Sequence, residues 1–201
     1  RQGGLHAKFD VLLFPSQRSA EIINGNAAGS LPAEYTGGIT DGGVNNLKDF
    51  VASGGTLVCF DAACEMAIKQ FNLPLRNVLD GVRSSEFYCP GSIVALDIDN
   101  KSPFAFNLPT KLPAYFINSS AFAATGDGVR VIARYAKENV LLSGWLLGED
   151  KLRGQIALAE ATMGKGRVVL FAFRPQHRGQ AWATLPLIWN VLSNAAASGS
   201  E

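Results

Sequence analysis

The sequence is poor in the residues that most often carry chemistry. Its 201 residues include only two histidines, His6 and His177, which lie near opposite ends of the chain. Neither begins an H-x-x-E or H-E-x-x-H pattern, and a catalytic zinc site needs several closely spaced ligands. The three cysteines, Cys59, Cys64 and Cys89, are odd in number and form no C-x-x-C pair. This excludes a closed disulfide framework and a zinc knuckle, and we expect no metal and no cofactor in this chain.

Charge and long apolar runs are also scarce. Lys plus Arg total 18 and Asp plus Glu total 17, so the formal net charge is +1, and charged residues make up 17% of the chain. Without a basic excess or a block of like charge, the sequence offers no electrostatic surface for nucleic acid or an anionic membrane. The longest apolar stretches, such as 168–173, fall far short of the roughly 20 residues that span a bilayer. We expect neither nucleic acid nor membrane as a partner.

The length of the chain suits one α/β domain. We assign residues 1–194 to it and expect 195–201 to be a flexible tail. The chain opens on Arg1-Gln2-Gly3-Gly4-Leu5 without an initiator Met, so we interpret it as a fragment of a longer precursor. The lack of a signal peptide then says nothing about export. Localisation and oligomeric state stay open, with a periplasmic or secreted parent as one hypothesis.

The first half alternates strands and helices. Apolar runs at 9–15 and Thr56–Phe60 are typical of buried strands, and a polar stretch at 16–43 contains glycine turn points. Apolar residues at helical spacing predict a helix over 44–51, and a second helix is predicted over 63–71. Strand, helix, strand, helix is the order of βαβ units, and it predicts a parallel sheet.

The second half is dense in strands. Gly164-Lys165-Gly166 predicts a tight turn into a last strand, and a closing helix is predicted over 181–196. The predicted strands are 92–98, 129–135, 140–145, 155–163 and 167–173. The predicted fold class is therefore α/β, a parallel sheet flanked by helices, with an antiparallel, strand-rich extension in the second half.

The tryptophans have two interpretations. Trp182 and Trp189 recur at helical spacing in the closing helix, which favours packing in the core. The alternative is that they line a groove together with Trp145. We expect the core role for the helical pair.

The segment after the second apolar strand has the pattern of a catalytic elbow, in which a nucleophile lies on a sharp turn at the carboxyl end of a buried strand. Gly54-Gly55 leads into that strand and puts Asp61 at the turn, while Arg174-Pro175-Gln176 follows the last strand. These segments resemble the class I glutamine amidotransferase-like superfamily, which has a nucleophilic Cys at the elbow and a His-Pro-Glu triplet after its last strand. The resemblance implies a flavodoxin-like sheet flanked by helices.

All three positions of that family's triad are replaced here. Asp61 stands in place of Cys, Arg174 in place of His and Gln176 in place of Glu. An aspartate is a poor acyl nucleophile, arginine stays protonated near neutral pH, and glutamine cannot orient a base through charge. We therefore assign no catalytic residue.

A second resemblance covers nearly the whole chain. It rests on short blocks in a consistent order and spacing, at 34–39, 47–58, 71–78, 87–92, 142–148, 164–169 and 173–178. These blocks are similar to the amidotransferase-like domain that follows the catalytic domain in certain bacterial zinc carboxypeptidases, metallopeptidases of the carboxypeptidase A type. The resemblance implies an accessory domain, with the zinc and its ligands in an upstream peptidase-like domain of the same precursor. It also implies one more strand and helix before Leu5.

Three functions remain open at this point. The first is a non-catalytic accessory domain that supports or modulates the upstream partner domain. The second is a small-molecule binding module for a carboxylate or sugar, and the third is a cryptic hydrolase using Cys64 or Cys89. The candidate pocket at the former triad site comprises Asp61, Cys64, Arg174, Gln176, His177 and Arg178. A simpler interpretation of the same residues is an Asp61–Arg174 ion pair that ties the ends of the strands together.

Overall fold

A computed structural model describes residues 3–198 of the chain, with side chains as far as 195. Its helices are α1 (Ser19–Asn24), α2 (Thr40–Ala52), α3 (Cys64–Gln70) and α4 (Leu185–Ser198). Its strands are β1 (Val11–Phe14), β2 (Thr56–Phe60), β3 (Leu75–Asn77), β4 (Ser92–Ile98), β5 (Lys111–Phe116), β6 (Phe122–Ala124), β7 (Val129–Tyr135), β8 (Leu141–Ser143), β9 (Ile156–Met163) and β10 (Gly166–Phe171).

These strands form one sheet with a parallel part and an antiparallel part. The main order is β1-β2-β10-β9-β7-β4-β5, and the short strands β3, β6 and β8 pair off this path. β1, β2 and β10 run parallel to one another. Every pairing from β10 outward to β5 is antiparallel. The predicted combination of a parallel sheet with an antiparallel extension from the second half is confirmed.

The parallel strands β2 and β10 form the centre of the core, and β1 lies at the edge of the sheet. All five residues of β2 are buried, and α2 and α3 pack against both β2 and β10. Because parallel strands are covered on both faces, they consist of continuous apolar runs rather than alternating ones. This is why β2 and β10 were recognisable in the sequence. The same arrangement brings the carboxyl ends of β1, β2 and β10 to one edge of the sheet.

The predicted turn between the last two long strands is a β-hairpin. Met163 of β9 pairs with Gly166 of β10, and Gly164 adopts a positive φ of 61°. A Cβ atom at Gly164 would lie 2.7 Å from the carbonyl oxygen of Ala52. Glycine is therefore required here both by the backbone conformation and by the close approach of α2.

The expected core role of the tryptophans is wrong. Trp182 is 76% exposed and Trp189 63% exposed, and Trp145 is 66% exposed. Spacing shows only that the two helical tryptophans share a face, not which face turns inward. The helix predicted over 181–196 begins at Leu185, so Trp182 lies in the 3-10 turn Trp182–Thr184 that precedes it. The buried side chains of α4 are Leu187, Ile188, Val191 and Ala195.

Two further boundaries differ from the sequence interpretation. The polar stretch 16–43 contains α1, a six-residue helix that buries Ile22 and whose short length leaves little periodicity to detect. At the other end, α4 continues to Ser198, so a division after residue 194 falls inside a helix. Residues 199–201 of the predicted tail lie outside the described residues. Within 3–198, no helix has both the length and the apolar character to cross a membrane.

Candidate functional site

The turn after β2 has the strained geometry of a nucleophile elbow. β2 ends at Phe60, and Asp61 begins a single 3-10 turn that leads directly into α3. Asp61 has a φ of 50°, in the left-handed region that most L-residues avoid and that Asp and Asn tolerate best. A strained residue between a buried parallel strand and a helix is the hallmark of the elbow. Here the residue at its tip carries a carboxylate.

The Asp61 carboxylate is buried and bonded from two sides. Its side chain is only 3% exposed. Its Oδ2 atom accepts a hydrogen bond from Nε of Arg174 at 2.7 Å and another from Oγ of Ser16 at 2.8 Å. Burying a carboxylate is costly unless it is paired and hydrogen-bonded, and these two donors satisfy that requirement. The structure thus brings Asp61 and Arg174 together, as expected for the simpler, ion-pair interpretation.

Strand order explains why these three residues meet. Ser16 follows β1, Asp61 follows β2 and Arg174 follows β10, and these strands are parallel neighbours. Polar residues after the carboxyl ends of adjacent parallel strands converge on one crevice. Ser16 was missed in the sequence, although its position two residues after the first apolar strand was a usable signal.

Cys64 lies one turn past the elbow but is not directed towards it. The residue is fully buried, and its Sγ atom lies 3.3 Å from the carbonyl oxygen of Cys59 and 3.2 Å from that of Phe171. Burial, and secondarily the neighbouring Cys59 and Asp61, raises the pKa of the Cys64 thiol well above its ordinary value. A protonated, inaccessible thiol bonded to two carbonyls has the character of a core residue rather than a nucleophile.

The segment after Pro175 faces a different part of the sheet. The His177 ring stacks on Tyr115 of β5, with ring centroids 4.3 Å apart and planes inclined by 21°. Burial, followed by the positive charges of Arg178 and Arg174, lowers the pKa of His177. Arg178 itself is exposed and adopts a positive φ of 50°. The orientation of the His177 ring is therefore set by its stack on Tyr115.

The side chain of Gln176 has an unsatisfied polar atom. Its Oε1 atom is buried, and among the described residues it has no hydrogen-bond partner. An unpaired buried acceptor costs on the order of 1–3 kcal/mol. A donor that reached this atom would recover that free energy.

Metal-ligating side chains do not cluster at the site. Within residues 3–198, no group of three or more His, Cys, Asp or Glu side chains is placed to hold a metal ion. The nearest charged partner of Asp61 is the Arg174 guanidinium at 2.7 Å, which occupies the position that a cation would need.

Comparison with known proteins identifies the fold. No protein-family model matches the chain, and no curated protein matches it significantly. Among solved structures, a cytoplasmic protein from Salmonella typhimurium matches with a TM-score of 0.58 and 16% identity, over 94% of this chain and 72% of the other. A glutamine amidotransferase matches with a TM-score of 0.52 and 19% identity, over 94% of this chain and 80% of the other.

A third match is to part of a larger enzyme. A β-galactosidase from Bacillus circulans matches with a TM-score of 0.52 and 16% identity over 78% of this chain, which spans 21% of the galactosidase. Identities this low establish the fold alone. Together with the strand order and the elbow, they show that the chain has a class I glutamine amidotransferase-like α/β fold.

Proposed function

We propose that this chain is a non-catalytic amidotransferase-like accessory domain, associated with a zinc carboxypeptidase-like metallopeptidase domain upstream in the same precursor. The observation that carries the non-catalytic part is the pair of hydrogen bonds on Oδ2 of Asp61. A nucleophile must direct a lone pair at a substrate carbon. The Asp61 carboxylate is instead directed at Arg174 and Ser16, so the elbow serves as a joint between strand ends.

The site also lacks the proton transfer that amide cleavage needs. A general base must accept the proton of the nucleophile or water, and the same group then protonates the leaving amine. The residues that follow β10 offer Arg174, whose guanidinium has no acceptor atom, and Gln176, whose side chain is a neutral amide. The imidazole in this segment, that of His177, is stacked on Tyr115 of β5.

The association with a peptidase rests on the sequence blocks that span nearly the whole chain. The galactosidase match supports the general idea that this fold can form one portion of a larger enzyme, since the similar region is about a fifth of that protein. In such an arrangement the domain's contribution is support or modulation of its neighbour, and zinc belongs to the neighbour.

Two experiments test the proposal. The purified chain should release no ammonia from glutamine above the rate without protein. Glutamine hydrolysis that an Asp61→Asn change abolishes would contradict the non-catalytic assignment. For the association, the sequence upstream of residue 1 in the precursor should contain an H-x-x-E motif and a later His. A precursor without those ligands contradicts the association with a peptidase. It does not affect the conclusion drawn from the ammonia measurement.

A second candidate function uses the same site as a binding pocket for a carboxylate or a sugar. The unpartnered Oε1 atom of Gln176 favours it, because a ligand hydroxyl or amide could donate to that atom. Arg174 uses Nε for Asp61, which engages only one of its three guanidinium nitrogens. A carboxylate could be held through the other two.

Thermal denaturation against a panel of small carboxylates and neutral sugars tests this candidate. A ligand at a hundred times its Kd stabilises a folded protein by about 2.7 kcal/mol, which is a measurable rise in Tm. The Gln176→Ala variant should lose that rise, whereas Gln70→Ala, a change at the end of α3 away from the elbow, should keep it. No rise with any compound excludes the binding function and is compatible with the accessory role.

A further inference from the structure

A buried carboxylate lies between two arginines at the end of the sheet opposite the elbow. Glu160 of β9 pairs with Arg130 of β7, and Thr162 of β9 pairs with Arg167 of β10. Because alternate residues of one strand share a face, and directly paired residues share it too, these four side chains lie on the same face of the sheet. Arg167 is at the amino end of β10, whereas Arg174 follows its carboxyl end. The cluster is therefore separate from the former triad site.

The Glu160 carboxylate has ion pairs but no hydrogen bond. Its side chain is 9% exposed, with Oε1 3.4 Å from Nη1 of Arg167 and Oε2 3.9 Å from Nη1 of Arg130. Both distances exceed the roughly 2.7–3.2 Å of an N–H···O hydrogen bond. Within residues 3–198, no donor makes a hydrogen bond to either oxygen. Because a buried charge is costly unless it is both paired and hydrogen-bonded, this carboxylate has capacity for a further donor.

The Arg130 guanidinium is also available to a ligand. Only its Nη1 atom approaches Glu160, and the side chain is 51% exposed. Its Nε and Nη2 atoms have no hydrogen-bond partner in the described part of the chain. Two neighbouring guanidinium nitrogens can hold a carboxylate through two parallel hydrogen bonds. The exposed Thr162 hydroxyl adds another donor on the same face.

An open cavity of about 360 Å³ connects these groups. It is lined by Gly128, Val129, Arg130, Glu160 and Thr162. Its volume is at the lower end of the roughly 300–1,000 Å³ of ligand pockets, which suits a molecule of few atoms. The cavity therefore presents a carboxylate acceptor and a guanidinium donor to one small ligand.

We propose that this cavity, the Glu160 site, binds a small α-hydroxy carboxylate. The ligand carboxylate binds Nε and Nη2 of Arg130, and the hydroxyl on the adjacent carbon donates to Glu160. The charges favour this class of ligand. Two arginines and one glutamate give the site a net charge of +1, which a ligand of charge −1 balances and which disfavours an ammonium group beside Glu160. A carboxylate without a hydroxyl would leave Glu160 without its donor. The assignment does not depend on the proposed function.

Three ligands with the same carbon skeleton test the proposal. L-lactate, L-alanine and propionate differ only at the carbon next to the carboxylate, which carries a hydroxyl, an ammonium or neither. In proton–nitrogen correlation NMR spectra, L-lactate should shift the Thr162 amide and the Arg130 Nε–H resonances in a saturable manner. Propionate should bind about tenfold more weakly, because it offers no donor to Glu160. L-alanine should also bind more weakly, because the two guanidinium groups repel its ammonium.

Arginine variants locate the site. Arg130→Gln should raise the Kd for L-lactate by about tenfold or more, because it removes both the charge and the paired donors. Arg134→Gln is the matched control and should leave that Kd unchanged. Arg134 is an exposed arginine of the same strand, and its Nη1 already donates to the carbonyl oxygen of Gly154 at 2.9 Å.

Four results would overturn the proposal. They are the absence of saturable shifts with L-lactate, equally tight binding of propionate, equally tight binding of L-alanine, and L-lactate binding that Arg130→Gln leaves intact. Gln176→Ala, a change at the former triad site, should not alter the L-lactate titration measured at the Thr162 amide. If it does, the shifts arise from the former triad site and the Glu160 site is not the binding site.

Discussion

Nε of Arg174 lies 2.7 Å from Oδ2 of Asp61, and the two partners differ sharply in exposure. The aspartate side chain is 3% exposed, whereas that of the arginine is 35% exposed. The contact joins the carboxyl ends of β2 and β10 across 113 residues of sequence. A catalytic elbow would keep its tip residue available to substrate, and this pairing makes the tip a structural contact.

A double-mutant cycle measures that contact. Asp61→Asn keeps a side chain that tolerates positive φ, and Arg174→Gln removes the guanidinium with little loss of volume. Removing one partner of a buried pair costs about 3–5 kcal/mol. Because Arg174 is partly solvated, we expect about 1–3 kcal/mol for each single change in urea denaturation. The double variant should cost clearly less than the sum of the two.

The cycle has a matched control in an exposed pair. Arg153 and Glu149 form an ion pair on the surface, with Nη2 and Oε1 3.0 Å apart, and exposed pairs contribute well under 1 kcal/mol. The corresponding cycle with Arg153→Gln and Glu149→Gln should give a near-zero coupling free energy. Equal coupling free energies in the two pairs would show that the Asp61–Arg174 contact stabilises the fold no more than an exposed ion pair does.

The cysteines should be inert in the folded protein. All three are buried; burial raises the pKa of Cys59 to about 12 and that of Cys64 well above the ordinary value. The reactive species is the thiolate. Iodoacetamide at neutral and mildly alkaline pH should therefore label none of them, and mass spectrometry should detect three adducts after unfolding in guanidinium. Rapid native labelling of Cys64 would revive the hypothesis of a cryptic cysteine hydrolase.

The sequence was informative where local chemistry decides the structure. β2 was predicted to the residue, because a continuous apolar run is bounded by Gly55 and Asp61. Counting from the glycine pair also located the elbow, where the structure places Asp61 at a positive φ. These features depend on neighbours in the chain, which a single sequence displays directly.

Contacts between residues that are far apart in the sequence could not be predicted from local patterns. Ser16 donates a hydrogen bond to Asp61 only because β1 pairs with β2. No local sequence pattern specifies the order of the strands in the sheet. His177 belongs to the candidate pocket predicted from the sequence, yet its ring stacks on Tyr115, a residue of the far edge strand β5. The tryptophans failed for a related reason, since periodicity defines a face without saying what covers it.

His177 should make stability depend on pH. Its pKa in the folded chain is lowered from 6.5 by burial and then by Arg178 and Arg174. Because the unfolded chain binds the proton more tightly, the free energy of unfolding should fall as pH drops below about 6.5 and level off below the folded pKa. Above the pKa of the unfolded chain, the contribution of His177 to the free energy of unfolding is present in full. NMR titration of the His177 ring protons measures the folded pKa.

Removal of the Arg178 charge tests what lowers the pKa of His177. Arg178→Gln should move the pKa of His177 up towards its ordinary value, because a nearby like charge disfavours the imidazolium. Lys8→Gln removes a positive charge from the amino end of β1 and should leave the titration unchanged. If Arg178→Gln has no effect, burial and the Arg174 charge are enough to lower the pKa of His177, and the Arg178 charge does not act on the ring.

The glycine that precedes β2 should be intolerant of any side chain. A Cβ atom at Gly55 would lie 2.4 Å from Cε2 and Cζ of Phe50, whose ring is buried in the core. The Gly55 amide also donates to the Phe50 carbonyl at 3.0 Å, so the backbone cannot easily withdraw. Overpacking of this kind costs about 1–3 kcal/mol. We expect Gly55→Ala to lower the free energy of unfolding by that amount.

Gly42 provides the matched control, because it lies inside α2, where the nearest atom to a new Cβ is Oγ1 of Thr40 at 3.6 Å. Alanine there relieves the backbone entropy cost of a helical glycine, so Gly42→Ala should raise the free energy of unfolding by about 0.5–1 kcal/mol. Urea denaturation of the two variants should therefore give changes of opposite sign. If Gly55→Ala also stabilises the chain, Phe50 has room to move, and the glycine pair before the elbow is not required by packing.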